Sequence, residues 1–170
     1  MGDISYIREL IMMEKGKPTL LTPYLISKDE NKTLAHVYLG TAQEGLATTA
    51  YTKVLLATKV RDVGSNFASY KYTASVTGDY HVDWSTYLAN NGGTLSYGLS
   101  HLYRNGSSIR VGNFGAPVGG EFISHGSSIV YMTAGQYLEL YAYGVTASST
   151  WKIKNSSTAT FMSVYLISRY

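Results

Sequence analysis

Residues 137–143 alternate without a break: Leu138, Leu140 and Ala142 interleave with Tyr137, Glu139, Tyr141 and Tyr143. A period of two predicts a strand with one face in a core. The unusual feature is the second face, which carries three tyrosines and one carboxylate where water-loving residues are expected. The same alternation puts Met162, Val164 and Leu166 inside and Phe161, Tyr165 and Ile167 outside. From residue 51 onward short runs of this kind follow one another, from "YTKVLLATKV" through "DYHVDW" and "GEFISHGSSIVYM" to "ATFMSVYLI". Gly78, Asn90 to Gly93, Asn105-Gly106, Gly119-Gly120, Gly126 and Gly135 punctuate them. Many short strands with glycine-rich turns predict an antiparallel β-sandwich over residues 51–170. Asn105-Gly106 within "YRNGSSIRV" is a hairpin signal.

The first 50 residues read differently. Ile4, Ile7, Leu10 and Ile11 lie three and four apart, which predicts a short helix within residues 1–16, stopped by Gly16 and Pro18. An isolated helix of that length is marginal in water, so it must pack on something. "TLLTPYLIS", interrupted by Pro23, predicts an edge strand or arm. "TLAHVYLG" is a second apolar run, and "GTAQEGLATTA" at 40–50 reads as a loop. The expected division is a segment 1–50 and a β domain 51–170.

Composition narrows the classes. The chain has 170 residues, 15% of them charged and 45% hydrophobic, with 16 Tyr and 17 Gly. Low charge with many aromatics argues against disorder. A net charge of +3 from 14 basic and 11 acidic residues, well mixed, lacks the basic patch that nucleic acid requires. With no cysteine there are no disulfides and no thiolate metal sites. "MGDISYIREL" lacks the basic start and apolar core of a signal peptide, and no window approaches the ~18 apolar residues of a membrane span.

Candidate chemistry is sparse. Asp79, His81 and Asp83 alternate along one strand and share a face. Their spacing, roughly 6–7 Å between neighbours, suits a solvated polar face better than one metal ion. His36, His101 and His125 are scattered; His125, beside Gly126, is expected at a strand end. No Gly-x-Ser-x-Gly elbow is present, "GNFGAPVGG" lacks the Lys-Ser/Thr of a phosphate loop, and Glu121 and Glu139 alone do not argue a glycosidase pair. No catalytic residue, metal or cofactor is expected. Binding is expected in the loops at 86–94, 113–121 and 146–151. There Tyr87, Asn90, Asn91 and Trp151 could stack on and hydrogen-bond to a sugar.

Four segments in order carry a resemblance: "TGDYHV" at 77–82, "LYRNGSSI" at 102–109, "GSSIVYMTAGQYLELYAYG" at 126–144 and "STATFMSVYLI" at 157–167. This order resembles the jelly-roll superfamily of the complement first-component subcomponent-q globular head and tumour necrosis factor. Ala134-Gly135-Gln136 stands in place of the family's usual acidic turn, and Ser163 where glycine is frequent. The resemblance implies a ten-strand jelly roll assembling as a homotrimer, whose inner sheet faces the three-fold axis. Tyr137, Glu139, Tyr141, Tyr143, Phe161, Tyr165 and Ile167 would then form the trimer interface; a segment of the same chain covering the tyrosines is the competing expectation. Small cysteine-free members look like bacteriophage fibre, head-fibre or receptor-binding proteins. That implies a virion protein, attached through residues 1–50 to other virion proteins and binding a host surface glycan. A bacterial or spore adhesive module and a decoration protein without a receptor site are the alternatives.

Overall fold

The computed structural model describes residues 11–14, 17–20, 33–92, 94–116, 120–147 and 150–170. The chain divides into two compact units, 1–31 and 32–170. In the first, β1 (Ile11–Glu14) pairs antiparallel with β2 (Lys17–Leu20). The helix expected over 1–16 is therefore corrected at residues 11–14, where strand pairing overrides the local apolar stripe; its earlier residues, and most of the "TLLTPYLIS" run, lie outside the described residues.

The second unit is a sandwich of a six-stranded and a seven-stranded sheet. The first sheet, called here the tyrosine sheet, contains β5 (Tyr51–Lys53), β7 (Phe67–Ala68), β8 (Lys71–Thr73), β10 (Leu95–Arg104), β11 (Ser107–Val111) and β13 (Tyr137–Thr146). The second, the terminal sheet, contains β3 (Leu34–Leu39), β4 (Gln43–Leu46), β6 (Thr58–Val63), β9 (Gly78–Asn91), β12 (Glu121–Met132), β14 (Thr150–Ile153) and β15 (Ser156–Arg169). All pairings are antiparallel. The count exceeds the ten expected because short segments such as β4, β5 and β7 extend the sheet edges.

β3 lies between β15 and β6, paired with both. Ala35 and Val37 on it are fully buried. The sandwich thus begins near Lys32, not at residue 51, and the expected loop at 40–50 contains β4, which pairs with β14. The reason is register: a strand whose alternate residues enter the core belongs to the sheet that buries them.

The core joins the inward faces of both sheets. Leu138, Leu140 and Ala142 from β13 meet Val82, Trp84, Met162 and Val164 from β9 and β15. Asn105 and Gly106 both have positive φ (50° and 79°), making a two-residue hairpin between β10 and β11. Gly126 is not a turn residue. It sits inside β12 opposite Trp84, where an added Cβ would overlap the indole. His125 is accordingly mid-strand. A buried polar seam crosses the core: the Trp84 indole N–H donates to Ser100 Oγ at 3.0 Å, and Ser100 N–H donates to Ser124 Oγ at 2.8 Å.

Candidate interaction faces

A sandwich has two outer faces, and the side chains singled out in the sequence divide between them. β13 belongs to the tyrosine sheet and β15 to the terminal sheet. The expected interface of Tyr137, Glu139, Tyr141, Tyr143 with Phe161, Tyr165 and Ile167 is therefore corrected. Alternation holds on both strands, but they lie in different layers, so their second faces look in opposite directions.

On the outside of the terminal sheet, cross-strand registers build rows of alternating character. Val63, Leu34, Tyr165, His81 and Ile129 form one row, running from β6 through β3, β15 and β9 to β12. The next is polar: Arg61, His36, Ser163, Asp83 and Ser127. Beyond it Tyr38, Phe161, Ser85 and His125 line up. Ile129 is 57% exposed, Ile167 49% and Tyr165 43%. Exposed aliphatic side chains in a contiguous patch mark an interaction surface.

The polar side chains of this face are tied locally. His36 Nδ1 lies 2.6 Å from Ser163 Oγ. His81 Nδ1 stands 3.2 Å from Asp83 Oδ2, and its Nε2 lies 3.1 Å from Ser127 Oγ. Asp79 does not converge with them; it accepts from the Tyr170 hydroxyl at 2.5 Å. Among the described residues no group of three or more metal-ligating side chains comes together.

The outside of the tyrosine sheet is a ladder of rings. Tyr103 and Tyr141 lie 4.2 Å apart between centroids, Tyr51 and Tyr143 4.9 Å, and Tyr51 and His101 4.9 Å. Tyr97 links Tyr143 at 6.4 Å to Phe114 at 6.1 Å. β5 accounts for part of this order: it pairs with β13 so that Tyr51 stands opposite Tyr143 and Lys53 opposite Tyr141. Lys53 Nζ meets Glu139 Oε1 at 2.6 Å, which explains how a carboxylate is buried on this face. The tyrosines are thus flanked by a strand of their own chain, not folded into the core. Burial raises the pKa of the Tyr103 and Tyr141 phenols and lowers that of His101.

The sugar-binding residues expected in loops are not assembled. Tyr87, Asn90 and Asn91 belong to β9, which runs through the stretch read as a loop. Trp151 is fully buried, its indole N–H donating to Ala47 O at 2.8 Å and its ring packed over Gly144. Asn91 donates to Thr150 Oγ1 at 3.2 Å. Tyr87 is engaged by Glu121, which accepts its hydroxyl proton, and by the Lys154 ammonium, 4.3 Å from the ring centroid. The hydrogen bond from Tyr87, then that from Lys154, holds the Glu121 carboxyl below its usual range. What sequence reasoning missed was the contribution of Tyr51, Tyr97 and Tyr103, which belong to other strands; the only available signal was that each also sits in an alternating run.

Two antiparallel sheets with these interleaved connections define a jelly roll of the tumour necrosis factor and complement subcomponent-q kind. Solved structures share this fold: the chain is similar to murine APRIL at pH 5.0, with a TM-score of 0.61 and 12% identity, over 80% of this chain and 99% of that one. It is also similar to the Eiger TNF of S. frugiperda, with a TM-score of 0.62 and 11% identity over 82% and 94%. The globular domain of zebrafish complement 1qA protein aligns with a TM-score of 0.58 and 11% identity, over 81% and 99%. No protein-family model and no curated protein sequence matches the chain.

Proposed function

We propose that this chain is a non-enzymatic, homotrimeric recognition knob, carried on a bacteriophage virion by its first, separate unit. The observation that carries the trimer is the largely apolar row through Val63, Leu34, Tyr165, His81 and Ile129, which leaves Val63, Tyr165 and Ile129 in water on a monomer. A second and third copy packed there would remove that area from solvent, the dominant favourable contribution in most association. The virion reading draws on the sequence resemblance and on the small compact unit that precedes the knob. Three identical sites on one rigid body would raise the effective concentration of weak contacts to a surface.

Light scattering on a sizing column tests the assembly. The expected mass is three times 18.6 kDa; a monomer at micromolar concentration overturns it. Mass spectrometry of purified particles tests the location: the chain should be a stoichiometric virion component, and its absence from particles overturns the virion reading while leaving the trimer intact.

A further inference from the structure

The two outer faces differ in a way that assigns them different partners. The terminal sheet offers isoleucines and a valine interspersed with Tyr165, His81 and Phe161; the tyrosine sheet offers a connected run of rings with hydroxyls. Among the described residues, the hydroxyls of Tyr51, Tyr97, Tyr103, Tyr141 and Tyr143 have no hydrogen-bond partner within the chain, as is also true of Tyr38, Tyr131 and Tyr165 on the terminal sheet; the tyrosine sheet differs in gathering five such phenols into one ring-to-ring ladder. The ladder is uncharged at its centre, because Lys53 and Glu139 neutralise each other and burial favours the neutral forms of His101, Tyr103 and Tyr141. Its most exposed rings are Tyr51, which links Tyr143 to His101, at 50%, and Phe114, at one end, at 67%.

We infer that the tyrosine sheet is a binding shelf for a neutral saccharide chain. Rings 4.2 to 6.4 Å apart, tilted or set edge-on to one another, offer aromatic surface along a line. The C–H faces of pyranose rings pack on such surface, while sugar hydroxyls exchange hydrogen bonds with the free phenols. The rings are ordered before binding by their contacts with one another, so little side-chain entropy remains to be lost on binding. An apolar protein partner is a poorer match: five free hydroxyls buried without partners would each cost the desolvation of an unpaired polar group. A charged polymer would find no compensating charge at the centre of the ladder. This inference gives the ligand class of the recognition knob proposed above, but it does not require the trimer.

The test uses the full-length protein titrated with neutral oligosaccharides built on glucose, galactose and N-acetylglucosamine. Binding is followed by calorimetry and by the tyrosine ring resonances in NMR spectra. At least one saccharide should bind and shift the rings of Tyr51, Tyr97 and Tyr143. Tyr51→Ala and Phe114→Ala, the two most exposed rings of the ladder, should each weaken binding about tenfold, as expected for aromatic anchors. Tyr143→Phe keeps the ring and removes one hydroxyl, and should weaken it several-fold. Tyr170→Ala, on the opposite face, should change nothing. Absence of binding across the panel overturns the shelf, and so does binding that ignores Tyr51→Ala and Phe114→Ala or is lost in Tyr170→Ala. A trimer that binds no saccharide overturns the shelf alone; a monomer that binds overturns the trimer alone.

Discussion

Ser100 shows how much one small side chain can carry. Its hydroxyl accepts the Trp84 indole proton and lies 2.8 Å from Ser124 Oγ, linking β10 to β9 and β12 across the core. Ser100→Ala would leave a buried indole N–H unpaired, a loss of about 1–3 kcal/mol of stability; urea unfolding midpoints at constant slope measure it. His101 acts through protonation. Burial lowers its folded pKa below the ordinary 6.5, so the unfolded chain takes up a proton first as pH falls. Stability should therefore be complete above about pH 6.5 and decline through the window between that value and the lowered folded one. His101→Gln should remove this slope, as denaturant melts at a series of pH values would show. Of these two roles, the sequence carried only the residue types. Ser100 is one serine among many, and nothing in "YGLSHLY" marks it as the partner of a tryptophan on another strand.

At the scale of elements, β3 is the informative case. Its alternation in "TLAHVYLG" is as regular as that of the later strands. What the sequence does not encode locally is that the last strand, β15, leaves its flank open for it. That pairing moves the start of the sandwich from residue 51 to Lys32. A chain beginning at Lys32 should fold cooperatively, with a sharp thermal transition. One beginning at Leu46 lacks β3 and should be insoluble or molten, because Met162 and Val164 on β15 lose the strand beside them. Equal melting behaviour of the two would show that β3 is dispensable. β12 gives a second case: Gly126→Val in the middle of that strand should destabilise by about 1–3 kcal/mol or more, since Trp84 occupies the space of the new side chain. Glycine within a strand pattern signals close approach as well as a turn, and only the structure chooses between them.

For the whole molecule, the layer to which a strand belongs decides which surface its outward residues build. Ile129→Glu on the terminal sheet should convert a trimer to monomers while leaving the circular dichroism spectrum unchanged, because Ile129 is mostly outside the fold. Tyr141→Glu on the other sheet should leave the mass unaltered. Had β13 and β15 shared a sheet, both substitutions would dissociate the assembly, so the pair of sizing experiments separates the two arrangements. The ordered motifs of residues 77–167 carried the jelly-roll fold, and solved structures at 11–13% identity agree with it.

The sequence by itself determined the β class, the strand alternation, the Asn105-Gly106 hairpin and the inward residues of β13 and β15. These follow from periods of two and from backbone preferences at single residues, which are local properties. Tertiary structure alone decided that β1 replaces part of an expected helix, that β3 completes the terminal sheet and that Trp151 is core. It also decided that the tyrosines of β13 join those of β5 and β10 on a face of their own. Sheet membership depends on pairings between residues far apart in the chain, and alternation is the same whichever sheet a strand joins.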